Sequence, residues 1–138
     1  MSGLKKLADE IAQALIAEGF TVHRYDAAKT DSVYLKLDYG ACNSVRISDH
    51  AGYPHLKYRY NIGTWIGQAM ETEDTYPRFY WPADQVAEMV AKIKADREAR
   101  IEWSGAGGYE KIIEKKKRDA RRATTGFWTH ARKVKRKR

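Results

Sequence analysis

Residues 32–38 read SVYLKLD, residues 44–49 read SVRISD, and residues 56–62 read LKYRYNI. In each stretch the apolar residues recur at every second position. Val33, Leu35 and Leu37 share one face, as do Val45 and Ile47, and as do Leu56, Tyr58, Tyr60 and Ile62. Period-two alternation is the pattern of a strand with one face buried and one face wet. The connections at 39–43 (YGACN) and 51–55 (AGYPH) are short and carry glycine. Short glycine-containing links join neighbouring antiparallel strands, so the three stretches predict a meander.

Upstream, residues 2–19 have the spacing of an amphipathic helix. Leu4, Leu7, Ile11, Ala14 and Leu15 form the apolar stripe, Ser2 suits the N-cap and Gly19 the C-cap. A short strand over 20–25 follows. Downstream, 63–75 reads as a loop with an acidic cluster, Glu71, Glu73 and Asp74, whose plain reading is a solvated loop. The aromatic run 76–81 suits a last short strand or an ordered segment. Pro82 is placed to open a long helix reaching Trp103, with Asp84 near the positive end of its dipole. Val86, Met89, Val90, Ile93 and Ile101 stripe that helix. Ser104-Gly105-Ala106-Gly107-Gly108 is the strongest linker signal in the chain, and a poorly amphipathic helix over 109–123 follows it. There is no internal repeat. The expected fold is α+β: an N-terminal helix, an antiparallel sheet of about four strands, a long helix and a basic C-terminal helical arm.

A chain of 138 residues suits one domain, and four Trp with nine Tyr supply enough large side chains for a packed core. A single cysteine, Cys42, excludes an internal disulfide and fits a reducing, cytoplasmic setting. No run of 18 apolar residues suggests a membrane span. Lys5, Lys6, Asp9 and Glu10 interrupt any signal-peptide core.

The net charge of +8 is unevenly spread. Residues 1–103 hold 13 Lys and Arg against 15 Asp and Glu, whereas residues 104–138 hold 13 against 3. Segregated charge resists packing and marks either a solvating tail or an arm that meets a polyanion. On this profile the chain divides into a core domain, 1–103, that folds alone and a basic C-terminal arm, 104–138.

Two groups of residues are candidates for nucleic-acid contact. The wet face of the sheet should carry Tyr34, Lys36 and Asp38, then Arg46 and Ser48, then Lys57, Arg59 and Asn61. Lys36, Arg46, Lys57 and Arg59 would form a cationic platform with Tyr34 as a stacking group, the mixture by which sheets hold single strands. The plain alternative is an ordinary charged face, or one covered by a helix. In the C-terminal segment the cations are Lys111, Lys115, Lys116, Lys117, Arg118, Arg121 and Arg122, then Arg132, Lys133, Lys135, Arg136, Lys137 and Arg138. Phe127 and Trp128 between these blocks either stack on bases or anchor the segment onto the protein's own core.

Catalytic signals are weak. Ser48, Asp49 and His50 are consecutive on a strand and point to alternate faces, so they cannot converge as a triad. His50 and His55 flank a turn, but no further residue has metal-ligand spacing. There is no phosphate-binding glycine loop after a strand. No cofactor, metal or catalytic residue is expected.

The segment Ser44-Val45-Arg46-Ile47-Ser48-Asp49-His50, with Lys57-Tyr58-Arg59-Tyr60-Asn61-Ile62 after it, resembles the sheet of small phage- and plasmid-encoded anti-CRISPR proteins that inhibit type II RNA-guided nucleases. The likeness covers about 20 residues. It implies an α+β core with a basic extension, and Arg46, Ser48, Asp49 and His50 as an interaction edge without catalysis.

The function expected from these readings is a non-enzymatic protein of a mobile element. It would bind RNA, DNA or a nucleoprotein such as an RNA-guided effector. The alternatives are a small basic ribonuclease toxin and a virion- or ribosome-associated structural protein. Oligomeric state is left open by the sequence.

Overall fold

The computed structural model describes residues 3–29, 32–50, 53–60, 78–82 and 84–137; for Asn43, Asp49, His50, Tyr53–Tyr60, 78–80 and Pro82 it describes backbone position. The meander is present. Strands β1 (Val22–Asp26), β2 (Val33–Leu37), β3 (Asn43–His50), β4 (Tyr53–Tyr60) and β5 (Arg78–Pro82) pair antiparallel in chain order. A sixth strand, β6 (Arg132–Lys133), pairs with the outer edge of β1, so the sheet order is β5-β4-β3-β2-β1-β6. β4 begins three residues before the alternation suggested. Asn61, Ile62 and the acidic cluster Glu71, Glu73 and Asp74 lie outside the described residues.

Helix α1 (Gly3–Ala17) and helix α2 (Val86–Ser104) enclose the core with the inner face of the sheet. Leu4, Ala8, Ile11, Ala12 and Leu15 of α1 meet Val22, Val33, Leu35, Leu37, Val45 and Ile47, and Met89 and Ile93 of α2 complete the cluster. Each fully buried Ile, Leu or Val contributes about 1.5–3 kcal/mol relative to exposure. α1 stops at Gly19, whose φ of +93° closes the helix: the Gly19 N–H donates to Ile16 O and the Phe20 N–H to Leu15 O. Arg97 of α2 then locks this corner. Its guanidinium lies 3.8 Å from the centre of the Phe20 ring and donates to Glu18 O at 2.8 Å.

Arg24 departs from the simple pattern. It sits on the inner face of β1, only 4% exposed, where Asp26 accepts its Nε–H at 2.7 Å and Asp9 of α1 accepts from Nη1 at 2.5 Å. A buried cation is tolerable only when paired and hydrogen-bonded, and here both carboxylates are at hand. Hydrogen bonding to Arg24 holds the Asp26 carboxyl below the usual carboxylate range.

Three expectations are corrected. Pro82 does not open the long helix; it ends β5, and α2 begins at Val86. A fixed φ near −65° suits either place, and tertiary pairing with His55 decides it. Asp38 is not on the wet face. It is 5% exposed, and with Tyr39 it adopts left-handed backbone, φ +52° and +60°. The glycine-rich stretch 104–108 is not an extended linker either. A single residue, Gly105 (φ +80°), breaks α2 from helix α3 (Ala106–Arg122), and Gly107 and Gly108 lie within α3.

The segment after Ser104 is tied to the rest of the fold along its length. Tyr109 is buried, and its hydroxyl donates to Asp38 Oδ2 at 2.6 Å. Helix α4 (Phe127–His130) lies over the outer face of the sheet, where Trp128 and Phe127 meet the rings of β1. The Val134 N–H donates to Val22 O at 2.9 Å. Gln13 of α1 then holds the last residues twice, donating to Lys135 O and accepting from the Lys137 N–H, each at 2.9 Å.

The Asp38–Tyr39 turn is the costliest backbone feature described. Two non-glycine residues at positive φ cost about 1–3 kcal/mol each. The Asp38 carboxylate offsets this: Oδ1 accepts the Thr21 N–H at 3.0 Å, Oδ2 accepts the Tyr109 hydroxyl, and Arg97 Nη1 lies 3.8 Å away. Burial, then the neighbouring Cys42 and Asp38, push the Tyr109 phenol far above its ordinary value, so it remains a donor at any working pH. Tyr109→Phe leaves a buried carboxylate one donor short. A loss of about 1–3 kcal/mol is expected in urea unfolding, with an unchanged slope. A stability equal to wild type would show that the turn does not depend on this bond.

Candidate nucleic-acid interface

Register along the sheet builds the site. Directly paired residues share a face, and neighbouring strands are about 4.8 Å apart. One row across the outer face runs Tyr25, Tyr34, Arg46, Lys57, Tyr80 from β1 to β5. The next row runs Lys133, His23, Lys36, Ser44, Arg59, Arg78 from β6 to β5. Six cations and three tyrosines thus occupy two adjacent rows. Lys36, Arg46, Lys57 and Arg59 are brought together on one face by this register; of Lys57 and Arg59 the backbone position is described.

Three members of these rows, Tyr25, Arg78 and Tyr80, were not among the candidates read from the sequence, and Lys133, a candidate cation of the C-terminal segment, was not expected in the sheet. Alternation over 78–82 would have placed Arg78 and Tyr80 on the same face, because Trp81 between them packs against the core. The strand position of Lys133 had no signal, because nothing in Arg132-Lys133 announces a strand.

In the first row Tyr25, Tyr34 and Arg46 stand side by side. The Tyr25 and Tyr34 ring centres are 6.1 Å apart, and the Arg46 guanidinium lies 5.6 Å from the centre of the Tyr34 ring, donating also to Ser32 Oγ at 3.3 Å. In the second row His23 is almost fully buried. Trp128 approaches it edge-on at 4.9 Å and Tyr39 at 4.7 Å. Burial first, and Lys133 second, hold the His23 imidazole below its ordinary value, and its Nδ1 is buried without a hydrogen-bond partner. His23 is therefore a packing residue, neutral at pH 7.

Helix α4 covers one end of this face and leaves a cleft beside it. Trp128 is engaged in packing, stacked on Tyr39 at 6.0 Å. Phe127 stands 6.0 Å from Tyr25 and has Lys36 Nζ 5.2 Å from its ring centre. His130 faces Tyr25 at 6.1 Å. Between Tyr25 and Tyr34 on the sheet and Phe127 and His130 on the C-terminal segment is an open cleft of about 700 Å³, with Lys29 at its rim.

The remaining candidate cations fall on two sets of positions. On α3, Lys111, Lys115, Arg118 and Arg122 are exposed at spacings of four, three and four, which puts them on one side of the helix, opposite buried Tyr109. Lys115 pairs with Asp119 at 3.5 Å and Lys117 with Glu114 at 3.9 Å; exposed pairs of this kind hold little energy and leave both charges available. Lys116 and Lys117 are half-buried, and Lys117 Nζ lies 5.4 Å from the Tyr39 ring centre, so it serves packing as well as charge. Arg121, Arg132, Lys133, Lys135 and Arg136 are exposed.

Of the residues implicated by the anti-CRISPR resemblance, Arg46 is on the outer face and Ser48 is 3% exposed; the side chains of Asp49 and His50 lie outside the description. Their strand, β3, is interior to the sheet rather than at its edge. Among the described residues no group of three or more His, Cys, Asp or Glu is arranged to hold a metal ion, and no helix is long and apolar enough to cross a membrane. Comparison with known proteins brings no match: no family model, no curated protein and no solved structure.

Proposed function

We infer that the protein binds nucleic acid, either free or held in a nucleoprotein of the kind to which the resemblance points, and does no chemistry on it. The observation that carries this reading is the pair of cross-strand rows. Lys36, Arg46, Lys57, Arg59, Arg78 and Lys133 lie within one strip of sheet, beside tyrosines, and the exposed side of α3 adds four more cations. Cations at neighbouring register positions suit a chain of phosphates, and aromatic rings among them suit bases. An ordinary solvated face mixes both signs, whereas these two rows contain no carboxylate.

The test is quantitative. Replacing Lys36, Arg46, Lys57 and Arg59 together by Gln should leave a cooperative melt, since half-buried Lys36 and Arg46 stand outside the apolar core cluster and Gln keeps much of each aliphatic stem. Titrated against a labelled oligonucleotide, the variant should show a log–log salt slope shallower by about one for each phosphate contact removed. Replacing Lys111, Lys115, Arg118 and Arg122 by Gln gives the companion measurement for α3. Failure of the wild-type chain to bind RNA or DNA in any form at 50 mM salt would end the proposal. Cleavage of the RNA would replace it with the ribonuclease reading.

A further inference from the structure

We propose that the cleft between the sheet and the C-terminal segment receives an unpaired nucleobase, so that the ligand is single-stranded or looped nucleic acid rather than duplex. This rests on the nucleic-acid reading and narrows it to one class of ligand.

The walls are aromatic on both sides. Tyr25 and Tyr34 come from adjacent positions on β1 and β2, and Phe127 and His130 from one turn of α4. Tyr25 lies 6.0–6.1 Å, centre to centre, from each of the other three rings, at tilts of 31–62°. These separations fall at the long end of aromatic pairing, and no two of the cleft rings are closed face to face. The rings therefore line an open space and do not fill it. A volume of about 700 Å³ is in the range of sites that hold small organic ligands, and it accommodates a base with its sugar.

Charge selects the occupant. Lys29 is at the rim, Lys36 sits over Phe127, and Arg46 sits over Tyr34. Among the described residues lining the cleft there is no carboxylate. The acid next to Tyr25 in sequence, Asp26, is on the opposite face of β1, held by Arg24. A flat unsaturated group attached to a polyanion satisfies both the rings and the cations. An apolar peptide would offer no charge to the Lys29 side of the cleft. In a duplex the base faces are already stacked, and extracting one costs a few kcal/mol, so the cleft favours bases that are already free.

The test uses the full chain and four 12-nucleotide probes at 150 mM salt: a single strand, its duplex, a hairpin with a six-base loop, and an abasic strand of equal phosphate number. The single strand and the hairpin should bind at least tenfold more tightly than the duplex and the abasic strand. Tyr25→Leu, Tyr34→Leu and Phe127→Leu should each weaken single-strand binding by about five- to hundred-fold, the loss typical for removing a stacking ring. Their salt slopes should stay at the wild-type value, because no phosphate contact is removed. Ala28→Trp fills the cleft from its exposed side and removes no packing; it should weaken single-strand binding alone, whatever becomes of the fold in the Leu variants. Equal binding of the abasic strand and the parent strand, or undiminished binding by Ala28→Trp, would overturn the cleft assignment while the nucleic-acid reading stood. No binding of any probe would overturn both.

Discussion

Removal of residues 104–138 is expected to abolish the cooperative thermal transition. The charge profile taken alone leads to the opposite expectation, a free-standing 1–103 domain with a detachable arm. The structure supplies the reason for the change. Truncation takes Tyr109 from Asp38, leaving a buried carboxylate under two left-handed residues. It takes Trp128 from His23 and Tyr39, uncovering rings now packed together. It also takes β6 from the edge of β1 and Val134 from the core. A lost donor to a buried charged group costs about 1–3 kcal/mol, and removal of a large aromatic packing partner about 3–5 kcal/mol. Together these approach the whole stability of a domain this size, about 5–15 kcal/mol. Circular dichroism in the near ultraviolet reports the outcome, since Tyr and Trp signals vanish when fixed packing is lost. A 1–103 fragment with a sharp melt close to that of the full chain would show that the C-terminal contacts are ornamental to stability.

Affinity should collapse with salt. If a single strand laid along the two rows neutralises about five phosphates, counterion release gives a log–log slope near −3.5, so raising salt from 50 to 200 mM should weaken binding by about 10²-fold. For a duplex the same number of contacts would give about 10³-fold. Fluorescence anisotropy at four or five salt concentrations measures the slope directly. A slope near zero would mean that the strand is held by stacking on the rings alone, and that the cations of the rows make no phosphate contact in the complex. A slope far steeper than −4 on a single strand would bring in the exposed side of α3 as a further contact.

Much of the fold was legible because alternation and helical spacing are local properties. Val33-Tyr34-Leu35-Lys36-Leu37 can bury one face only as a strand, and the pairing that follows puts Lys36 and Arg46 on the other. β1 was harder. Arg24 stands at an inward position and breaks the apolar pattern, and only Asp9, one helix away, makes that burial affordable. Tyr25 therefore went unnoticed as a site residue, although it is the centre of the cleft. The left-handed turn at Asp38–Tyr39 was hidden for a similar reason, since its compensating donor is Tyr109, 71 residues downstream. β6 was not legible at all. Two charged residues carry no periodicity, and their strand geometry comes wholly from the free edge of β1 and the grip of Gln13. The far wall of the cleft shares this origin, so the cations of the site were readable and its shape was not.

The position of β6 also sets an order of events for the newly made chain. β1 is made early, and its outer edge is matched by residues made much later, position 24 meeting position 132. Contacts between distant parts of a chain bear the greatest loop-closure entropy and form late. The edge of β1, with its unpaired backbone groups, therefore stands open while strands β2 to β5 assemble. An open edge accepts any strand of suitable length, including the corresponding C-terminal segment of another copy. Covalent connection favours the chain's own β6 segment by keeping it close, and Gln13 secures it on arrival. At high concentrations of refolding protein that advantage shrinks, and exchange of β6 segments between two molecules becomes the competing route to the same paired sheet.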